Sequence, residues 1–222
     1  MKKTTEAIIL AGGKGTRLMP LTNNMPKALI SVHDKTITEH IFDLLKKHGI
    51  TNVTLSVGYM KEKIKNYFGD GSKFGLGINY IEENEPLGTA GPLRLAKKFD
   101  GTFIVSNGDE LKDIDIEDMY KFHKKNSALA TIALTKVEDP SQYGVANLNG
   151  NKIIEFIEKP KKEDAPSNLI NAGFYMIEPE VINLIPEGFA MLEKDVFPRL
   201  AKEGKLYAFP FNGQWFDTGT FE

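Results

Sequence analysis

At 222 residues the chain is long enough to bury one substantial α/β core, and its size alone points to about one domain. A net charge of -2, with 28 basic residues set against 30 acidic ones and a pI near 6.1, supplies no positive field for nucleic acid. The absence of cysteine excludes disulfides and thiolate metal sites and fits a cytoplasmic, reducing setting.

Lys2 and Lys3 precede an apolar run, as in a secretory leader, but the run is short, Glu6 interrupts its start and Gly12 and Gly13 end it. Residues 7–11 therefore read as a buried central strand, and no later stretch is apolar enough for a membrane span. Residues 36–47 put Ile37, Ile41, Leu44 and Leu45 at helical spacing, closed by Gly49. A strand over 51–57, a helix over 61–68 and a strand over 77–81 follow, then a helix over 89–99, a strand over 103–106, a helix over 114–125 and a strand over 128–135. From Tyr143 the rhythm changes: 145–148, 152–157 and 170–177 read as antiparallel strands, with short helices near 178–184 and 193–202. The alternation predicts an α/β fold, a Rossmann-like mixed, mostly parallel sheet flanked by helices, with ligands at the carboxyl ends of its strands. Residues 1–222 are expected to form a single domain, with 143–222 a half-domain on the same sheet.

After the first strand, Gly12, Gly13 and Gly15 leave backbone N–H groups open to an anion, because no Cβ intervenes. Arg17 offers a planar fork for phosphate oxygens and Lys27 a point charge. They stand ten residues apart, so a loop must bring them together. Neither common phosphate loop fits: Gly15 follows Lys14 where a P-loop needs Ser or Thr, and Leu18 stands where the dinucleotide fingerprint needs a third small residue. On the loop alone, a glycine-rich turn with two solvated cations is the competing reading.

The string from Leu10 to Leu29, LAGGKGTRLMPLT followed by PKAL, resembles the signature of sugar-1-phosphate nucleotidylyltransferases, or nucleotide-sugar pyrophosphorylases. The resemblance implies their nucleotide-diphospho-sugar transferase fold, and it extends along most of the chain. It implies nucleotide contacts at Leu10, Ala11, Gly12, Gly13, Gly15 and Thr16, and at Glu83, Gly88 and Thr89 in the segment EENEPLGTAGPL, whose form resembles the GDP-mannose pyrophosphorylases within the family. A guanine edge presents two adjacent donors for which a carboxylate such as Glu83 is a natural acceptor, while Gly88 and Gly91 would admit a planar ring. An acidic turn before a helix is the bland alternative there.

Asn107-Gly108-Asp109 resembles the family's metal motif and Trp215-Phe216-Asp217 its second one, implying Mg²⁺ on Asp109 and Asp217. These aspartates lie 108 positions apart, so their convergence is implied by the resemblance, and a lone Asp at a strand end is otherwise a turn or cap residue. Asp113, Asp115, Glu117 and Asp118 read as charges at a helix N-terminus. Glu158-Lys159-Pro160, Asn171-Ala172-Gly173 and Tyr143-Gly144-Val145 resemble the sugar motifs and imply sugar-phosphate contacts at Gly144, Glu158, Lys159 and Asn171. Residues 1–142 would then be the nucleotide half and 143–222 the sugar half.

The implied reaction joins a nucleoside triphosphate, GTP by the closest motifs, to a hexose 1-phosphate, mannose 1-phosphate foremost, with release of pyrophosphate. Arg17 would hold the leaving group, Lys27 the α-phosphate and Lys159 the sugar phosphate. A thymidylyl- or uridylyltransferase acting on glucose 1-phosphate is the related alternative, and a catalytically silent nucleotide-sugar sensor the alternative of another class. Residues 31–36 depart from the family by replacing a Pro-Val pair and Gly-Lys-Pro, which bears on the start of the next helix. Family chains continue past the point reached at Glu222 with at least one helix, so any homo-oligomer is expected to form through the catalytic domain.

Overall fold

Ala7, Ile8 and Ile9 offer no polar face to solvent, and the strand they form, β1 (Glu6–Ala11), is buried on both sides in the computed structural model, which describes residues 6–96 and 98–218 apart from the side chain of Glu158. A short hairpin, β2 (Ser31–Val32) and β3 (Lys35–Thr36), leads into helix α1 (Ile37–Lys47), followed by β4 (Asn52–Val57), α2 (Lys61–Phe68), β5 (Gly77–Glu82) and α3 (Gly91–Leu95). Next come β6 (Phe103–Asn107), β7 (Glu110–Lys112), α4 (Ile116–Lys125) and β8 (Ala130–Lys136). The remainder is β9 (Gly144–Asn149), β10 (Lys152–Glu158), β11 (Leu169–Ile177), α5 (Phe197–Lys202), β12 (Leu206–Pro210) and β13 (Trp215–Asp217).

Among the described residues nine strands form one sheet in the order β5-β4-β1-β6-β11-β8-β12-β10-β9. β4, β1, β6 and β5 pair in parallel, β11 is antiparallel to both β6 and β8, β12 is parallel to β8, and β10 is antiparallel to β12 and β9. All strands but β11 and β10 therefore run one way, the mixed and mostly parallel sheet expected from the sequence. Successive β1 side chains feed opposite faces: Ala7 and Ile9 join Phe42, Leu45 and Phe68 from α1 and α2, whereas Ile8 joins Phe103, Val181, Phe197 and Leu200.

Local chemistry fixes the helix starts. Thr36 Oγ1 accepts from the Glu39 backbone N at 3.2 Å and Glu39 Oε2 accepts from the Thr36 backbone N at 2.6 Å, a capping box that starts α1 despite the unusual residues before it. Asp115 caps α4 by accepting from the Asp118 backbone N at 2.9 Å. Asp113, expected to serve that helix end, instead lies 3.5 Å from Lys47 Nζ. The helix expected over 89–99 is only α3, because the Ala90 and Gly91 amides are spent on the Ala190 carbonyl and Ala96 is extended. The helix expected near 178–184 is a 3₁₀ turn, and the one over 193–202 opens with a single π turn before α5.

Just after β11 a largely buried polar cluster joins three segments. Glu178 Oε1 accepts from Thr102 Oγ1 at 2.8 Å and from Lys124, and lies 2.9 Å from His123 Nε2, whose ring is fully buried. Burial by itself would raise the Glu178 pKa, but hydrogen bonds from His123, Lys124 and Thr102 outweigh it and bring the pKa down to about 2.

Candidate active site

The glycine loop leaves the carboxyl end of β1 and continues through three 3₁₀ turns, Thr16–Leu18, Leu21–Asn23 and Lys27–Leu29. Thr22 Oγ1 donates to the Gly15 carbonyl at 2.9 Å and folds the loop back on itself. Arg17 and Lys27 are thereby brought to the same pair of carboxylates. Lys27, 8% exposed, donates from Nζ to Asp109 Oδ2 at 2.8 Å, and Arg17 Nη1 lies 3.8 Å from Asp217 Oδ2. The Arg17 side chain is mostly exposed, so that second pair is held loosely.

The aspartates meet because β7 and β13 form a two-stranded antiparallel ribbon in which Asp217 faces Glu110. Thr218 then donates to the Asp109 carbonyl through both its backbone N, at 3.2 Å, and its hydroxyl, at 2.7 Å. Beneath the ribbon, Glu110 accepts from Asn107 Nδ2 and Trp215 Nε1, both at 3.0 Å, while Lys112 donates from Nζ to the Gly173 carbonyl at 3.1 Å. Burial pushes the Glu110 carboxyl up and the Lys112 ammonium down from their ordinary values. The sequence reading missed this pair, although charges at alternate positions of one strand share a face and carried the signal.

A cavity of about 460 Å³ opens at this corner, within the range of small-molecule sites. Leu10, Ala11, Gly12, Gly13, Gly15 and Thr16 line one wall. Glu83, Gly88 and Thr89 line the opposite one, and Arg17, Lys27 and Asp109 also reach the cavity. The walls touch at Gly12, where a Cβ would sit 2.5 Å from Glu83 Oε1, so glycine is what lets that carboxylate reach the loop. Glu83 is fixed by Ser56 Oγ, which donates to Oε1 at 2.7 Å, and by the Leu87 backbone N, which donates to Oε2 at 3.1 Å. Gly88, with φ near +75°, lines the cavity and also leaves, where a Cβ would stand, room for the Ala190 carbonyl. Gly91 likewise faces the Gly188 carbonyl.

Asp217, Gly144, Lys159 and Asn171 do not line this cavity. Gly144 begins β9, and Lys159 is exposed with φ near +46°, its amide donating to the Tyr143 carbonyl at 3.0 Å. The Glu158 side chain lies outside the described residues. Asn171 Nδ2 donates to Tyr175 Oη at 2.9 Å, Tyr175 donates to Glu193 Oε1 at 3.2 Å, and Thr89 Oγ1 donates to Glu193 Oε2 at 2.7 Å. Burial, then the Glu193 charge, hold the Tyr175 phenol well above its ordinary pKa, so it remains a donor in this chain. Glu193 links Asn171 to the cavity wall at Thr89, and the sequence reading had no local signal for it.

A family model described as nucleotidyl transferase matches residues 6–222. The chain belongs to this family. Mannose-1-phosphate guanyltransferase beta-A of Xenopus laevis is 42% identical over 221 residues, covering 96% of this chain and 61% of the relative. Mannose-1-phosphate guanyltransferase of Yarrowia lipolytica is 42% identical over 224 residues, with 96% and 60% covered. The chain thus spans about three fifths of the length of the curated relatives it matches. Among solved structures, HddC from Yersinia pseudotuberculosis complexed with GMP-PN superposes with a TM-score of 0.84 at 26% identity, covering 98% of this chain and 95% of that one. Among the described residues no helix is long and apolar enough to cross a membrane.

Nucleotidyl transferases generally use a divalent metal, and the donors here suit a hard one. Among the described residues no group of three or more His, Asp or Glu side chains forms a metal cage. Asp109 and Asp217 stand on adjoining segments, each faced by a cationic side chain. One or two carboxylates completed by substrate phosphates is the usual environment of Mg²⁺, and these residues fit it.

Proposed function

We propose that this chain is the catalytic part of a sugar-1-phosphate nucleotidylyltransferase that joins GTP to mannose 1-phosphate, giving GDP-mannose and pyrophosphate. The observation that carries this reading is the convergence of Arg17 and Lys27 on Asp109 and Asp217 at the mouth of a glycine-walled cavity. The names of relatives over 96% of the chain support the substrate pair. Residues 1–142 supply the nucleotide wall and 143–222 the sugar side, and the lack of cysteine accords with a cytoplasmic setting.

An oxygen of the sugar phosphate attacks the α-phosphorus of the triphosphate, a new P–O bond forms, and the bond to the pyrophosphate oxygen breaks with its electron pair. The nucleophile is already an anion, so positioning and charge neutralisation do most of the work. Lys27 holds the α-phosphate, Arg17 the leaving pyrophosphate and Lys159 the incoming sugar phosphate. The amides of Gly12 to Thr16 face the remaining phosphate oxygens, and Glu83 accepts from the base edge, since each of its oxygens has a lone pair left after Ser56 and Leu87. Asp109 and Asp217 would hold Mg²⁺, which supplies Lewis-acid charge to the reacting and leaving phosphates.

The test is a panel of nucleoside triphosphates against hexose 1-phosphates, read by pyrophosphate release with Mg²⁺. GTP with mannose 1-phosphate is expected to be the fastest pair. A faster thymidylyl or uridylyl pair overturns the substrate assignment, and no release from any pair removes the enzyme reading.

A further inference from the structure

The cavity mouth carries an aromatic ring that the packing of the fold does not use. Phe189 is 62% exposed, yet it lines the same cavity as Gly12, Glu83, Pro86 and Gly88. A single exposed apolar side chain is ordinary on a mobile loop, but this one is held from both sides. Gly188 before it sits at φ near +77°. Ala190 after it is fully buried, donates its amide to the Leu87 carbonyl at 3.0 Å, and accepts at its carbonyl from the Ala90 and Gly91 amides at 2.9 and 3.3 Å. Those bonds tie the Phe189 backbone to the segment that carries Glu83, so the ring and the carboxylate keep a fixed relation across the cavity.

We propose that Phe189 is a base-stacking and specificity-determining residue: its ring covers one face of the nucleobase whose edge Glu83 reads, and it favours purines over pyrimidines. This rests on the nucleotidylyltransferase reading of the same cavity. Glu83 discriminates by donors and acceptors along one edge, which says little about ring size. A planar aromatic surface discriminates by overlap, and a fused purine offers more of it than a single pyrimidine ring. A phenylalanine spends only two rotatable bonds on the contact, and its backbone is already anchored, so little ordering opposes binding.

The test compares wild type with the Phe189→Ala, Phe189→Leu and Phe189→Trp variants, measuring kcat and KM separately for GTP and UTP. In Phe189→Ala the KM for GTP is expected to rise about tenfold, toward the low end of losses seen when a stacking ring is removed, with kcat held within about twofold, as for lost uniform binding. The KM for UTP should change less, Phe189→Leu should fall between, and Phe189→Trp should restore wild-type KM. Independently of turnover, GTP should quench the fluorescence that Phe189→Trp adds to that of Trp215. An unchanged KM for GTP in Phe189→Ala, or no quenching in Phe189→Trp, overturns the stacking role. Quenching in a protein that turns over no nucleotide would leave stacking standing and remove the enzyme reading.

Discussion

Glu83 shows how much a single side chain is asked to do. Each of its oxygens already accepts from one protein donor, Ser56 or the Leu87 amide, so its orientation is set before any ligand arrives. Glu83→Gln can keep both contacts by turning its amide nitrogen toward the Ser56 hydroxyl, but it then presents one donor where guanine requires acceptors. The ratio of kcat/KM for GTP over UTP is therefore expected to fall about tenfold or more in that variant, and an unchanged ratio would mean that backbone groups read the base. Asp109→Asn keeps an oxygen for Lys27 but loses the charge on which a divalent cation depends. Turnover should drop about 100-fold or more, while the melting temperature stays within about 3 °C of wild type, the shift that a change of roughly 1 kcal/mol produces in a chain of this length. Full activity in that variant would remove the metal role. Arg17 and Lys27 were legible in the sequence because their motif is contiguous. The meeting of Asp109 with Asp217 was not legible from spacing, since it depends on β7 pairing with β13 across a hundred residues, and neither three-residue strand carries a pattern long enough to read.

At the scale of elements, segments with their own punctuation were legible. α1 has Thr36 and Glu39 at its start and Gly49 after its end, and Lys61–Phe68 carries Ile64 and Phe68 on one face, so both helices fall where periodicity puts them. The segments that escaped are those whose backbone partners lie far away in the chain. α3 is cut short because its first amides belong to Ala190, which no local pattern foretells. β12 is five residues ending in Pro210, and its strand character comes from lying parallel to β8. The junction of α3 with residues 188–190 also yields a test: Gly88→Ala would put a Cβ into the Ala190 carbonyl and force an alanine to a φ near +75°. A loss of roughly 2–3 kcal/mol is expected, visible as a melting temperature lower by roughly 4–10 °C. A variant that melts with wild type would mean that the loop over the cavity is free to move away.

For the whole molecule, the acid limb of stability is set far from the cavity. Glu178 has a folded pKa of about 2 against an ordinary 4.5, so its contribution is complete above pH 4.5 and is lost as the pH falls toward 2. Glu178→Gln should cost roughly 2–3 kcal/mol at pH 7, and the gap between variant and wild type in urea unfolding should narrow steadily from pH 5 to pH 2. A gap that stayed constant over that range would assign the cost to packing instead of charge. The sheet itself has a consequence in time. Among the described residues β8 has no hydrogen-bonded strand neighbour earlier in the chain: its partners β11 and β12 are both made after it, and β6 also waits for β11 to cover its second edge. During synthesis the parallel strands β5, β4, β1 and β6 can assemble early, while 130–136, a strand buried at six of its seven positions in the fold, stays unpaired until residue 177 has left the ribosome. An aggregation-prone interval thus falls between the completion of the first four sheet strands and the arrival of the one that runs against them.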